Sequence, residues 1–208
     1  MARKPKVAII GGGIGGLAAA LALHRRGIEF DVYEQGNTIT EIGGGLNLSP
    51  NALKAFRLLG VEDAAKEIGF QDERQKVHSW RTGIVLADQS RKAGVFENYG
   101  AEFLTIHRGD LQKVLFEHVP DSHVHPGKTC IEAGSYGRSA FAKFSDGGSI
   151  EADIIIGADG IHSAVRDSLF GKQPPRFTGC ICWRGLVPDL AAVRTSAMAG
   201  LCTGQCKP

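Results

Sequence analysis

The sequence of 208 residues contains no long apolar run. Its longest such stretches are Val7–Ile10, Leu17–Leu23 and Ile154–Ile156, far short of the roughly 20 residues that a membrane-spanning helix needs. The basic amino terminus meets glycines after only a few apolar residues, whereas a secretory signal needs a longer apolar region and a cleavage site. We therefore expect no membrane span and a cytoplasmic location.

An excess of charge of either sign is also missing. The 24 Lys and Arg residues nearly balance 22 Asp and Glu residues, which leaves a net charge of +2. So small a charge does not suggest a nucleic acid partner. With 43% hydrophobic and 22% charged residues, the composition is that of a soluble globular protein and excludes disordered or collagen-like chains. No internal repeat or low-complexity linker divides the chain.

Cysteine is scarce, with five residues in all. An odd number fits reduced thiols better than a disulfide framework. Cys180, Cys182, Cys202 and Cys206 could offer four thiolates to zinc, but neither pair has the usual C-x₂-C spacing. The histidines also lack ligand spacing. We therefore predict no metal site.

Glycine, by contrast, is abundant, with 28 residues, and its positions are informative. Lys6–Ile10 is a short apolar run that predicts a buried strand of a parallel sheet. The pattern over residues 14–26 then predicts a helix, and Phe30–Tyr33 predicts a second strand with Glu34 at its end. The first 34 residues therefore predict one βαβ unit.

The turn between the first strand and the helix carries a G-x-G-x-x-G pattern, filled by Gly11, Gly13 and Gly16. In such a turn the first glycine permits the tight bend, the second admits a pyrophosphate, and the third lets helix and strand pack closely. A carboxylate at the end of the second strand, here Glu34, can accept hydrogen bonds from ribose hydroxyls. Glycines can serve packing alone, but the full context favours a dinucleotide with a free 2′-hydroxyl, either NAD or FAD.

The rest of the chain predicts a mixture of helices, hairpins and loops. The elements expected after the glycine-rich loop at Gly43–Gly45 are a helix over 50–59, a hairpin over 77–86, a strand over 103–106, a helix over 110–118, a hairpin over 140–152, a buried strand over 153–156, a helix ending at 170, a strand over 179–187 and an irregular tail over 191–208.

Three further segments separate FAD from NAD. They are residues 43–52, residues 107–111 and residues 157–166, the last reading Gly-Ala-Asp-Gly-Ile-His-Ser-Ala-Val-Arg. Together with residues 11–34 they resemble the FAD-dependent aromatic hydroxylases, the single-component flavoprotein monooxygenases, and most of all the salicylate-hydroxylase-like branch. The resemblance extends to about Asp189. It implies an α/β fold, with a Rossmann-like FAD-binding domain on a parallel sheet and the beginning of a mixed-sheet substrate domain.

The resemblance also implies roles for residues of the first two segments. Glu34 would bind the adenosine ribose. Gly44 and Gly45 would let the backbone run close to the flavin or its ribityl chain, where a side chain would collide. Arg108 would reach the pyrophosphate or ribityl region as a cation, although an ordinary solvated arginine near a helix start is the alternative.

In the third segment, Asp159 and Gly160 resemble the motif that serves both FAD and the nicotinamide donor. The alternative for Asp159 is a helix N-cap, which Ser163 could also provide. A carboxylate beside a pyrophosphate needs a positive charge or hydrogen-bond donors nearby, and Arg166 is one or two helical turns away. Beyond this segment, Arg184 would point toward the flavin ring as the catalytic residue, holding an anionic substrate or stabilising developing charge. A solvent-facing arginine is the alternative there.

The resemblance implies a division into four segments: residues 1–75 and 106–178 in the FAD-binding domain, 76–105 as substrate-domain strands, and 179–208 as the start of the substrate domain with an irregular tail. A later Gly-Asp segment of the family is missing, so the chain is expected to be an N-terminal half.

The function implied is hydroxylation of a small aromatic molecule with FAD as cofactor and NADH or NADPH as electron donor. A truncated, non-catalytic remnant that binds FAD or another nucleotide is the alternative. An NAD-dependent dehydrogenase is a third possibility, which the segments at Arg108 and Asp159 argue against. Substrate identity and oligomeric state stay open.

Overall fold

The computed structural model describes residues 4–38, 44–79, 81–179, 181 and 197–202, the last range by its backbone alone. The chain divides into two compact units. The first unit comprises Met1–Ile42 and Gly109–Arg176, and the second comprises Gly43–Arg108 and Phe177–Pro208. None of the helices in the described ranges is long and apolar enough to cross a membrane.

The elements are as follows. The helices are α1 (Ile14–Arg25), α2 (Pro50–Leu59), α3 (Glu62–Ile68), α4 (Val95–Tyr99), α5 (Arg108–Glu117) and α6 (Ala164–Phe170). The strands are β1 (Lys6–Ile10), β2 (Glu29–Tyr33), β3 (Gly45–Leu48), β4 (Arg74–Ser79), β5 (Val85–Ser90), β6 (Leu104–His107), β7 (Val124–His125), β8 (Cys130–Tyr136), β9 (Ser139–Phe144), β10 (Ser149–Ala152), β11 (Ile154–Gly157) and β12 (Ala197–Cys202).

The first unit is built on a parallel sheet with the strand order β11-β1-β2-β7. Strand β1 lies inside this sheet, and its register pairs Ile10 with Tyr33 of β2 on one side and with Gly157 of β11 on the other. All its apolar residues are buried, because a parallel strand is covered on both faces. The predicted βαβ unit is thus confirmed, and it ends with Glu34 at the carboxyl edge of the sheet.

A second layer in the same unit is the antiparallel sheet β10-β9-β8. Its residues Ala142 and Phe144 share a buried cluster with Ala8, Ile10 and Tyr33 of the parallel sheet. The hairpin of β9 and β10 confirms the prediction over 140–152, while β8 was not anticipated.

The position of β11 differs from the prediction of a buried strand. Ile154 is 46% exposed, since within the described residues β11 pairs with β1 alone and forms an edge of the sheet. An apolar run such as residues 154–156 predicts a strand correctly, but it does not reveal whether both sides are covered.

The second unit contains a two-stranded antiparallel sheet of β3 and β6 and a three-stranded sheet in the order β12-β4-β5. Helix α2 begins at Pro50 and ends before Gly60, whose φ of 77° closes the helix in the left-handed region, as the sequence predicts.

Two predictions for the second unit are wrong. The glycine-rich segment expected to be a loop continues into β3, because Leu46 and Leu48 pair with Ile106 and Leu104 of β6. Part of the tail expected to be irregular forms β12, parallel to β4. The predicted strand over 179–187 lies outside the described residues except for Gly179 and Ile181, which are not in a strand. The predicted domain boundaries after residues 75, 105 and 178 remain a prediction about domain organisation.

Candidate functional site

The turn that follows β1, residues Gly11–Gly13, is here named the first turn. Gly11 has a φ of 108°, and a Cβ added to it would overlap the carbonyl oxygen of Ala158. A Cβ on Gly16, one turn into α1, would overlap the carbonyl oxygen of Gly11. Only glycine satisfies both positions, because L-residues rarely adopt such a φ and neither site has room for a side chain.

Gly13 is the N-cap of α1, and its carbonyl accepts the Leu17 N–H at 2.9 Å. The cap makes no side-chain hydrogen bond to the helix, and the amides of a first helical turn have no intrahelical acceptor. The next glycine, Gly15, is exposed and a Cβ there would meet no atom within 4 Å. These amides and the positive end of the helix dipole suit a phosphate group.

Glu34 stands directly beside the first turn. Its Oε2 accepts the Gly12 N–H at 2.6 Å, and its Oε1 accepts the Gly36 N–H at 2.8 Å. An ionised carboxylate can accept more than one bond on each oxygen, so the half-buried group still has acceptor capacity for hydroxyl donors. The structure therefore brings Gly11, Gly13, Gly16 and Glu34 together in the first unit.

The turn that follows β11, residues Ala158–Gly160, is named the second turn. Asp159 accepts the Ser163 hydroxyl at 2.5 Å on Oδ1 and the Val165 N–H at 3.1 Å on Oδ2. Ser163 in turn accepts the Arg166 N–H at 2.9 Å. Both alternatives for capping are therefore realised at once, with Ser163 as the N-cap of α6 and Asp159 supporting it.

Gly160 and Arg166 are the two remaining residues considered near Asp159. Gly160 has a φ of 79°, and a Cβ added there would point into open space, so its conformation rather than crowding requires glycine. The guanidinium of Arg166 donates to the Ile161 carbonyl at 2.9 Å and to Asp167 at 3.2 Å. The donor company expected for the Asp159 carboxylate comes from Ser163 and Val165 rather than from Arg166.

The second unit holds the remaining described candidates. The Arg108 N–H donates to the Gly44 carbonyl at 3.2 Å, and Gly45 pairs with His107 across the β3–β6 sheet. Gly44, Gly45 and Arg108 are thus neighbours along one strand pair. Arg184, the predicted catalytic residue, lies outside the described residues.

A buried polar network in the second unit gave no signal in the sequence. Arg91 and Asp72 are only 7% and 5% exposed, and their charged atoms are 3.8 Å apart. Arg91 also donates to Gln75 at 2.8 Å and to Asn47 at 3.3 Å. The Thr105 hydroxyl lies within hydrogen-bond distance of both the Asn47 side-chain oxygen and the Asp72 carboxylate, and its single proton can serve only one of them. Such a network depends on residues far apart in the chain, so no local sequence pattern predicts it.

A comparison with protein families agrees with this geometry. A family model described as an FAD binding domain matches residues 4–186. The chain belongs to this FAD binding domain family. The match covers both turns and the candidate residues in the two units.

Relatives of this FAD binding domain are monooxygenases. The chain is 37% identical to a 6-hydroxynicotinate 3-monooxygenase of Pseudomonas fluorescens, over 90% of this chain and 49% of that protein. It is 39% identical to the 3-amino-4-hydroxybenzoate 2-monooxygenase PtnB3 of Streptomyces platensis, over 88% and 46%. The predicted resemblance to FAD-dependent aromatic hydroxylases is confirmed, and the chain spans about half the length of these relatives.

A solved structure of the same kind supports the fold. The chain is similar to Klebsiella pneumoniae HpxO complexed with FAD and uric acid, with a TM-score of 0.75 and 32% identity. The match covers 84% of this chain and 44% of that one. The predicted fold class, an FAD-binding α/β domain on a parallel sheet, is confirmed.

Two groups in the first unit have raised pKa values, one on each of its sheets. Burial raises the pKa of the Tyr33 hydroxyl at the end of β2, with Asp31 adding to the effect. Burial likewise raises the pKa of the Cys130 thiol, which keeps that thiol protonated. Within the described part of the chain, no three His, Cys, Asp or Glu residues group as metal ligands; of the four cysteines weighed for zinc, none has a described side chain.

Proposed function

We propose that this chain is the FAD-binding portion of a monooxygenase that hydroxylates a small aromatic molecule with NADH or NADPH. The overall reaction consumes one reduced nicotinamide, one O₂ and one proton. It yields the hydroxylated ring, the oxidised nicotinamide and one water. The observation that carries the proposal is the Glu34 carboxylate, hydrogen-bonded to Gly12 beside the uncapped start of α1.

The residues present fit FAD. The first turn leaves no space for side chains at Gly11 and Gly16, and the start of α1 offers amides to a diphosphate. Glu34 retains acceptor capacity for the hydroxyls of the adenosine ribose. When bound, FAD supplies the redox chemistry that takes electrons from the nicotinamide and activates O₂.

The other candidate residues have the roles that the resemblance to the aromatic hydroxylases implies. Gly44, Gly45 and Arg108 serve the flavin, ribityl or pyrophosphate region, and Asp159 with Gly160 serves FAD and the nicotinamide donor. Their local geometry is compatible with these roles. Arg184 remains the proposed catalytic residue.

The substrate class follows from the relatives. 6-Hydroxynicotinate and 3-amino-4-hydroxybenzoate, named in two relatives, are hydroxylated rings that carry a carboxylate. We infer that this protein acts on a ring of the same kind, small, hydroxyl-bearing and anionic. An arginine such as Arg184 would suit the carboxylate, because its fork of donors matches two oxygens.

A second candidate is nucleotide binding without hydroxylation. It is favoured by one observation, that the enclosed glycines Gly11 and Gly16 and the neighbouring Glu34 carboxylate are by themselves sufficient for binding a nucleotide. The two candidates share FAD binding and differ in whether the nicotinamide reduces the bound FAD. A single set of measurements therefore separates them.

The test compares Gly13→Ala with Gly15→Ala as a matched pair. A methyl group at Gly13 would meet the pyrophosphate, so we expect FAD affinity to fall by about tenfold or more. Gly15→Ala, where an added Cβ meets no atom, is expected to bind like the parent. Fluorescence titration with FAD measures both, and circular dichroism verifies folding. Equal affinity in both variants would remove the first turn from the site.

Product analysis then decides between the two candidates. The parent chain is mixed with FAD, NADH or NADPH and a hydroxylated aromatic acid, and both hydroxylated product and H₂O₂ are measured. Product that matches nicotinamide oxidation supports the monooxygenase. Bound FAD whose reduction by the nicotinamide yields only H₂O₂ supports the FAD-binding portion of a monooxygenase. Bound FAD that the nicotinamide does not reduce supports the second candidate, and failure to bind FAD contradicts both.

A further inference from the structure

Gln112 is a buried polar residue that has no role in the site described above. It lies on α5 and is only 4% exposed. Its Nε2 donates to the carbonyl oxygen of Gly12 at 3.0 Å, across 100 residues of sequence. An apolar side chain could fill this buried position, but Gln112 places a polar amide here, and that amide binds the backbone of the first turn.

The orientation of this amide is dictated by its partner. A carbonyl oxygen is an acceptor only, so the Nε2 end of Gln112 must face Gly12, since Oε1 in that place would be repelled. Oε1 is consequently buried and has no hydrogen-bond partner among the described residues. An unpaired buried acceptor is unfavourable, which indicates that the bond to Gly12 is retained for a purpose other than filling space.

The bond fixes one peptide plane. The Gly12 carbonyl and the Gly13 N–H belong to the same peptide group, and the structure has no cis peptide bond among its described residues. In a trans peptide the N–H points opposite to the carbonyl. With the Gly12 carbonyl turned toward Gln112, the Gly13 N–H therefore points away from α5.

The other side of Gly12 is fixed as well. Its own N–H is taken up by Glu34 Oε2 at 2.6 Å, so it is engaged before any ligand arrives. The two side chains hold Gly12 from both ends, Glu34 through the N–H and Gln112 through the carbonyl. The Gly13 N–H is then the next amide of the first turn that can be offered to an anion.

We propose that Gln112 is a positioning residue for the diphosphate of the bound dinucleotide. It acts through the Gly12–Gly13 peptide, whose N–H it aims at a phosphate oxygen. This inference rests on the proposed binding of FAD at the first turn. It requires no contact between Gln112 and the ligand.

The experiment uses the whole chain with two variants and a control. Gln112→Leu keeps the approximate shape and removes the donor. Gln112→Glu supplies a donor only when its carboxyl group is protonated. Lys113→Leu, at the neighbouring exposed position of α5, controls for placing a leucine in this helix. FAD and ADP affinities, the ³¹P chemical shifts of bound ADP and thermal unfolding of the ligand-free chain are measured for each.

We expect Gln112→Leu to weaken ADP and FAD binding by about tenfold and to move the ³¹P resonances of bound ADP. Gln112→Glu should bind weakly at pH 8 and recover affinity as the pH falls through the pKa of its carboxyl group, while the parent and Gln112→Leu show no such recovery. A merely structural role would lower thermal stability without this pH profile. If Gln112→Leu does not fold, the pH profile of Gln112→Glu decides alone.

The outcomes distinguish the role of Gln112 from the proposed binding of FAD. A parent chain that binds ADP and FAD, together with Gln112 variants of equal affinity and unchanged ³¹P shifts, overturns the role of Gln112 and leaves the proposed function standing. A parent chain that binds neither ligand overturns the proposed function, and the role of Gln112 with it.

Discussion

The first and second turns follow two neighbouring strands, and the register that pairs Ile10 with Gly157 starts them at the same level of the sheet. Each has a carboxylate with two donors. The donors to Glu34 are backbone amides from separate parts of the chain, one of them 22 residues away. The donors to Asp159 lie within six residues and belong to its own helix. One carboxylate joins two loops, whereas the other caps a helix.

The glycines of the two turns differ in how closely other parts of the chain surround them. Gly11 is enclosed by the backbone of the second turn, while a Cβ on Gly160 would meet no atom within 4 Å. Both have a positive φ. The comparison indicates that the first turn tolerates little change, and that the second is constrained only by its local conformation.

The largest effect is expected from Gly11→Ala, compared with Gly160→Ala. Overpacking and a left-handed φ together should lower the free energy of unfolding by about 3–5 kcal/mol at Gly11. At Gly160 only the φ is unfavourable, at about 1–2 kcal/mol. Urea denaturation of both variants measures the difference. Equal losses would show that the two turns are equally constrained.

The next effect concerns FAD affinity. Glu34→Gln replaces one acceptor oxygen by an amide donor, which then faces a backbone N–H. Loss of a charge-assisted hydrogen bond of about 1.5–3 kcal/mol should weaken FAD binding by roughly 10- to 150-fold. Glu29→Gln, at the exposed start of the strand that Glu34 follows, is the control. Titration of the ligand-free chain with FAD measures both, and a parent-like Glu34→Gln would exclude Glu34 from the site.

The carboxylate of Glu62, in the second unit, differs from those of Glu34 and Asp159 because its partners are cations. Glu62 accepts from Arg57 at 2.6 Å and lies 3.1 Å from the Lys66 ammonium. The hydrogen bond from Arg57 lowers the pKa of Glu62 from 4.5 to about 2. A lowered pKa stabilises the folded state above the unfolded pKa, and this contribution is lost as the pH falls from about 5 toward 2.

Glu62→Gln should therefore be less stable than the parent by about 1–2 kcal/mol at pH 7, because the Arg57 side chain is 50% exposed and solvent screens the ion pair. The difference should shrink toward zero as the pH approaches 2. Denaturation of both proteins across this pH range measures the contribution. A difference that does not change with pH would mean that the Glu62 charge does not contribute.

The smallest effect is expected at the second turn. Asp159→Asn keeps an acceptor for one of the two donors, and Ser163 still caps α6. The loss should be about 1 kcal/mol. Ser163→Ala and the double variant complete a cycle, in which a coupling of about 0.5 kcal/mol or more is expected because the two side chains are in contact. Strict additivity would contradict a shared cap.

Local patterns in the sequence were sufficient for the first turn and its flanking elements. Gly11, Gly13 and Gly16 have a spacing that follows from the turn itself, and α2 has Pro50 and Gly60 as its own start and stop signals. Strand β3 was not predictable in this way, because its pairing partner β6 lies far along the chain and its glycines suggested a loop.

Long-range contacts explain the other limits. Gln112 contacts Gly12 across 100 residues, and the exposure of Ile154 depends on which strands lie beside β11. Neither is encoded in the residues next to it. The candidate site was therefore predictable where it consists of one turn and one strand end. It was not predictable where a distant side chain holds that turn.

The parallel register of β1 with β11 also governs when the site can form during synthesis. The Lys6 amide donates to Asp153 across 147 residues, and the carbonyl of Ala158 closes over Gly11. The whole segment from β1 to β11 must therefore leave the ribosome before β1 has both of its neighbouring strands. Contacts so distant in sequence slow folding, since the loop must close before they contribute. The first turn therefore reaches its final surroundings only after β11 and the second turn have been made, although it precedes them by more than 140 residues.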